Sequence, residues 1–317
     1  MELRDYERLS REELGARIIQ ARQQKNAVIL VHNYQRLEVQ EFADYLGDSL
    51  GLSVQASKTK ASLIVFCGVD FMAESAKILN PEKKVLIPDN RADCPMAKMV
   101  DLEGLRNLKK KHPDAIVVTY VNSTAEVKAE SDICCTSANA VEVVKSLKGK
   151  KIIFTPDRNL ALYTKKMTGA DIIPWDGYCY VHDSFSIKHI QDMKRAHPGA
   201  FFIAHPETRL EVLEQADLVT STSGMVKWVE HNLETVESKG VVIGTEVGLV
   251  AQLKKKYPDK RIYPLSEKGI CRTQKLTTLP KLCWSLENER YEVIIPEEIR
   301  EKARKSLERM IEIIPAD

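Results

Sequence analysis

The sequence predicts an α/β fold of three repeated units, each a parallel sheet covered by helices on both faces. Three observations carry this. First, a helix, a short polar turn and an apolar strand recur three times, ending in His32-Asn33-Tyr34, Tyr120-Val121-Asn122-Ser123 and His205-Pro206-Glu207 at intervals of 88 and then 85 residues. Self-similarity at a fixed period is the mark of repeated structural units. Second, the strands are short unbroken apolar runs such as Val28 to Val31 and Phe201 to Ala204, the pattern of strands buried on both faces. Their alternation with helical segments argues for parallel sheets. Third, one loop cysteine follows in each unit, Cys94, Cys179 and Cys271, at intervals of 85 and 92 residues. Three equivalent units offering one thiolate each describe a metal site on a pseudo-threefold axis.

Taken in order, Leu14, Ile18, Ile19 and Ala21 give the first helix its 3.6-residue periodicity. The first strand follows and runs into His32. Asp48 and Ser49 read as a C-terminal helix turn. A second strand is expected at 61–67, echoed at 131–137 and 216–222, and a third at 85–89, echoed at 153–157 and 242–246. Leu102, Leu105 and Leu108 mark the helix opening unit two. In units two and three a further helix and strand precede the cysteine, ending in Ile172-Ile173-Pro174 and Ile262-Tyr263-Pro264. Under this alignment Cys94 lies 5 residues after Asp89, whereas Cys179 lies 22 after Asp157 and Cys271 lies 25 after Glu246. Cys94 is therefore expected not to be strictly equivalent to the other two. The units are placed at 15–98, 99–183 and 184–275, with a closing segment at 276–317 whose helix, 297–313, has Pro296 at its first turn.

Units of this size bury too little apolar surface to stand alone, so they should pack closely around an interior cleft. The 47 basic and 45 acidic side chains leave a net charge of +2, which predicts no nucleic-acid or membrane partner. No stretch approaches the roughly 18 apolar residues of a membrane span, and the charged N-terminus lacks the apolar core of a signal peptide. The expected location is cytoplasmic. Seven cysteines, an odd number, speak for metal or catalytic use rather than disulfides.

Cys134 and Cys135 lie within an apolar strand, Cys283 beside Trp284 on an apolar helix face and Cys67 at a strand end, all places where a free thiol serves as a small hydrophobe. Cys94, Cys179 and Cys271 instead lie among Gly, Pro and polar residues, where packing gives no reason for a thiol. Ligands of open parallel sheets bind at the carboxyl ends of the strands. His32, Tyr34, Tyr120, Asn122, His205 and Glu207 fall there. Each alone is compatible with a capped turn; three different polar motifs in register describe one asymmetric pocket. Ser137 and Ser221-Thr222 open helices in this reading, as N-caps and as N–H-rich anion sites.

These motifs, with Gly47-Asp48-Ser49, Asp93-Cys94-Pro95, Trp175-Asp176-Gly177-Tyr178-Cys179-Tyr180-Val181-His182, Ser221-Thr222-Ser223-Gly224-Met225 and Gly244-Thr245-Glu246, run through nearly the whole chain, which resembles the quinolinate synthases of NAD biosynthesis. Two positions depart from that pattern: Thr208 stands where a cysteine is frequent, and Gln274 where a methionine is often found. The resemblance implies three αβα sandwich domains related by a pseudo-threefold axis, with a 4Fe-4S cluster in the central cavity. It implies condensation of iminoaspartate with dihydroxyacetone phosphate to quinolinate, with loss of phosphate and two waters. Cys94, Cys179 and Cys271 would hold the cluster and leave one iron open as a Lewis acid. Tyr34 and Glu207 would move protons, with His205 and His182 beside them. His32, Asp48, Ser49, Tyr120, Asn122, Ser137, His205, Glu207, Ser221 and Thr222 would bind substrate. Transient contact with L-aspartate oxidase is a further implied partnership. Three rivals stay open: an electron-transfer protein, another three-cysteine iron–sulfur hydro-lyase or zinc enzyme with His182 or water as fourth ligand, and a phosphosugar-binding protein.

Overall fold

The computed structural model describes residues 1–313. Three four-stranded parallel sheets form the chain. The first contains β1 (Ala27–His32), β2 (Tyr45–Gly47), β3 (Leu63–Cys67) and β4 (Lys84–Leu86). The second contains β5 (Ile116–Tyr120), β6 (Ile133–Cys135), β7 (Ile152–Thr155) and β8 (Ile172–Pro174). The third contains β9 (Phe201–Ala204), β10 (Leu218–Val219), β11 (Val241–Gly244) and β12 (Ile262–Pro264). Each sheet has its second strand at one edge, then the first, third and fourth, so one αβα architecture is repeated three times.

This topology corrects the strand alignment within the first unit. The segment 61–67 is the third strand of its sheet, equivalent to β7 and β11, and the second strand is β2. β2 escapes a reading based on apolar runs because it has three residues and its side chains Tyr45 and Leu46 are 42% and 38% exposed. Asp48, correspondingly, begins a helix instead of ending one. Its Oδ1 accepts the Gly51 N–H at 2.9 Å, capping Ser49–Lys58.

With the strands in step, the three cysteines become equivalent, contrary to expectation. A helix follows β3, β7 and β11 in turn: Asp70–Leu79, Arg158–Thr168 and Val247–Lys256. A carboxylate at the start of each accepts the backbone N–H of the loop cysteine. Asp70 takes that of Cys94 (3.0 Å), Asp157 that of Cys179 (2.8 Å) and Glu246 that of Cys271 (3.2 Å), across 24, 22 and 25 residues.

Two smaller expectations also change. Ser137 does not open a helix: the helix Ala140–Ser146 begins after Asn139, whose Oδ1 instead accepts the Thr136 N–H at 2.8 Å. Ser221 does cap Thr222–His231, accepting the Gly224 N–H at 3.3 Å. Pro296 stands at the N-cap of the closing helix Glu297–Glu312, just outside its first turn; residues 314–317 of the closing segment lie outside the described residues.

The first two sheets share one core, in which Phe66, Phe71, Val118 and Phe154 pack with Ala303, Leu307 and Met310 of the closing helix. The helix Leu279–Asn288 packs on Arg11–Gln24 over the outer face of the first sheet. The third sheet is buried between two apolar layers, one around Phe202 and Val242, the other around Ile203 and Ile243, as alternating side chains of strands covered on both faces require. Among the described residues no helix is long and apolar enough to cross a membrane.

Candidate active site

The carboxyl ends of the strands meet at a cavity. His32, Tyr34, Asp48, Ser49, Tyr120, Asn122, Ser137, His182, His205, Glu207 and Thr222 line it, as do Cys94, Cys179 and Cys271. Ser221 does not; its hydroxyl sits just behind, donating to Asp48 Oδ2 at 3.3 Å. Cys67, Cys134, Cys135 and Cys283 are buried in the apolar cores.

Hydrogen bonds join residues of all three units into one chain. The Tyr34 hydroxyl lies 2.6 Å from the Thr245 hydroxyl, which lies 2.8 Å from His182 Nε2. His182 Nδ1 is 2.6 Å from Glu207 Oε2, and Glu207 Oε1 accepts from the Tyr120 hydroxyl. Glu207 fixes the polarity. An ionised carboxylate only accepts, so His182 Nδ1 carries the proton, Nε2 accepts from Thr245, and Thr245 accepts from Tyr34. Burial, reinforced by the Glu207 charge, raises the Tyr34 and Tyr120 phenols well above their ordinary range. Burial alone would also raise the Glu207 carboxyl. The imidazoles of His182 and His205, with the bonds from His182 and Tyr120, hold it instead at about 2.

His205 stacks on His182 with centroids 4.4 Å apart. Its Nδ1 accepts the Glu207 N–H, which leaves Nε2 to donate to Ser137 Oγ at 3.2 Å. Burial and the neighbouring His182 lower its pKa to about 3. Asn122 Oδ1 is buried without a hydrogen-bond partner among the described residues, an acceptor left for a ligand.

The sequence profile described as Quinolinate synthetase A protein matches residues 16–312. The chain belongs to this family. It is 51% identical over 95% of its length to the quinolinate synthase of Methanosarcina barkeri, covering 98% of that protein. The quinolinate synthase of Dehalococcoides mccartyi strain CBDB1 is 49% identical, over 96% of this chain and 99% of its own. That of Pyrococcus furiosus is 49% identical, over 95% and 98%.

In this member of the family the cavity's donor set suits a metal centre. Burial raises the pKa of all three cysteine thiols, and the charge of neighbouring cysteines adds to it at Cys94 and Cys179. No lysine or arginine is among the described residues lining the cavity. Three thiolates gathered there require positive charge from a bound group. The donor atoms of Cys179, His182 and Glu207 also lie within 4.8 Å of one another.

Thr245, which joins Tyr34 to His182, was not singled out as a site residue from sequence. Gly244-Thr245-Glu246 read as a structural echo of the third strand, and its alignment with the other strand ends was the available signal. Gln274, read from sequence only as a departure, has its side chain buried against His32.

Proposed function

We propose that the chain is a quinolinate synthase, condensing iminoaspartate with dihydroxyacetone phosphate to quinolinate with release of phosphate and two waters. The observation that carries this reading is the union, in one cavity, of three converging half-buried cysteines with a continuous hydrogen-bonded path from Tyr34 to Glu207. Cys94, Cys179 and Cys271 would hold a 4Fe-4S cluster. When bound, a cluster on three thiolates supplies one iron free of protein ligands, a Lewis acid toward carboxylate, carbonyl or departing hydroxyl.

The protein's own part is proton management and anion binding. In the resting polarity, Tyr34 donates to Thr245 and offers its lone pair to the cavity. A proton taken from substrate by the Tyr34 oxygen displaces its own to Thr245, whose proton passes to His182 Nε2. The resulting imidazolium is held by Glu207 at 2.6 Å. Running the path backwards returns the proton to a leaving oxygen. Enolisation and dehydration need one step in each direction, and a single relay serves both. His32, Asn122, Ser137 and Thr222 hold the substrate carboxylates and phosphate, assisted by the helix starts at Ser49 and Thr222, whose free N–H groups stand in for the missing cationic side chains.

The test is anaerobic purification with iron and sulfide analysis, then a quinolinate assay with both substrates. About four irons per chain and quinolinate formation are expected, both lost in Cys94→Ser, Cys179→Ser and Cys271→Ser and kept in Cys134→Ala and Cys283→Ala. Iron retained in full by any of the first three would overturn the ligand set. The 4.8 Å grouping of Cys179, His182 and Glu207 favours a second reading, a mononuclear zinc enzyme. One zinc per chain and no sulfide would establish that alternative.

A further inference from the structure

We propose that Gln274 is a positioning residue that, together with the Tyr34 N–H, holds His32 as its Nε2–H tautomer, so that this histidine meets its ligand as a hydrogen-bond donor. The argument begins at the backbone. The Tyr34 N–H donates to His32 Nδ1 at 3.2 Å. A peptide N–H has no other role to play, so Nδ1 carries no proton. Gln274 Nε2 lies 3.4 Å from the same Nδ1 and 3.9 Å from Met72 Sδ, both acceptors. The other end of the Gln274 amide, Oε1, accepts from Gln35 Nε2 at 2.7 Å.

The amide orientations are therefore set in sequence from one immovable donor: Tyr34 N–H fixes Nδ1, Nδ1 requires the donor end of Gln274, and the acceptor end of Gln274 requires the donor end of Gln35. The same sequence leaves Gln35 Oε1 buried without a partner among the described residues. Turning the Gln35 amide over would set its oxygen against Gln274 Oε1, so this orientation is kept although an unsatisfied buried acceptor is costly. All three side chains are buried, His32 at 4%, Gln35 at 1% and Gln274 at 2% exposure. The Tyr34 ring meets the imidazole edge-on at 4.6 Å and helps to fix its plane.

Among the described residues none hydrogen bonds to His32 Nε2, and His32 lines the cavity. Its Nε2–H is left for a ligand, and burial keeps the ring neutral, its pKa lowered to about 3. A neutral donor at this place selects an acceptor oxygen, such as a substrate carboxylate, and disfavours an N–H or ammonium group. Gln274 also opens the short turn Gln274–Leu276, three residues beyond Cys271. The loop that carries one cysteine of the third unit thus governs a ligand-binding histidine of the first.

The identity of that ligand rests on the function proposed above; the tautomer does not. Two-bond 1H–15N spectra of the intact enzyme labelled at its histidine nitrogens, with His32 assigned by loss in His32→Asn, report the tautomer directly. An Nε2–H ring is expected, and an Nδ1–H ring overturns the proposal without any variant being made. Gln274→Glu, which sets an acceptor against Nδ1, should shift the ring toward the Nδ1–H form or the imidazolium, and Gln274→Met should leave it averaging. Both should raise KM for the dicarboxylate substrate about tenfold, with a smaller effect on kcat and unchanged iron content. Variants that keep the tautomer and KM of the parent remove Gln274 from the role. An Nε2–H ring in a protein that makes no quinolinate would leave Gln274 in place and refute the proposed reaction instead.

Discussion

Thr245 is the residue on which the proposed proton path turns, because its hydroxyl both accepts from Tyr34 and donates to His182. Thr245→Val keeps the shape and removes the short link, leaving only the direct 3.4 Å approach of the Tyr34 hydroxyl to His182 Nε2, and should cost on the order of a hundredfold in kcat, the usual scale of a lost general acid–base step. Thr245→Ser should restore most of it, with iron content unchanged in both; a Val variant with near-normal turnover would show that protons travel another way. His32 bears on stability. Its folded pKa of about 3 lies below the ordinary 6.5 because burial disfavours the cation. The unfolded chain therefore binds more protons between those values, and stability is lost as pH falls through that window. Thermal melts of the parent and His32→Asn between about pH 4 and pH 7 should show a steeper decline on acidification in the parent.

At the scale of elements, one device is used three times: a carboxylate at the start of the helix after the third strand turns back to hold the N–H of a loop cysteine. Asp157 shows it most fully, since Oδ1 caps its helix through the Leu160 N–H at 2.9 Å while Oδ2 holds Cys179. Asp157→Ala removes both bonds. The cap alone is worth about 0.5–2 kcal/mol, so urea denaturation of the metal-free chain should show at least that loss. Iron bound per chain should also fall, because the Cys179 loop is no longer fixed. Full iron occupancy in the variant would make the carboxylate a helix cap only.

The whole molecule is held together by cores that cross its units. Leu307 of the closing helix is fully buried among residues of the first and second sheets. Leu307→Ala should cost about 2–5 kcal/mol, the range for buried leucines, read as a shift of the denaturation midpoint. Since the core it enters is continuous, the first two sheets should lose structure together, in a single transition followed by circular dichroism and by Trp175 fluorescence. Two resolved transitions would mean that they fold separately.

The sequence by itself determined the threefold repetition, the parallel sheets and the residues at the strand ends, because each is written locally: apolar runs of four or five residues, polar groups where they stop, cysteines where packing wants none. Recognisable motifs over nearly the whole chain added the family. Equivalence of Cys94 was not legible, since it depended on a three-residue exposed edge strand whose side chains carry no apolar signal. Nor was the beginning of a helix at Asp48, which follows from that same strand. The contacts of Thr245 and Gln274 became visible only when segments from different units were brought within hydrogen-bond distance. A hydrogen bond between residues 211 apart, such as that of Tyr34 to Thr245, leaves no periodic trace in the chain, and its partners are chosen by how the three sheets pack against one another.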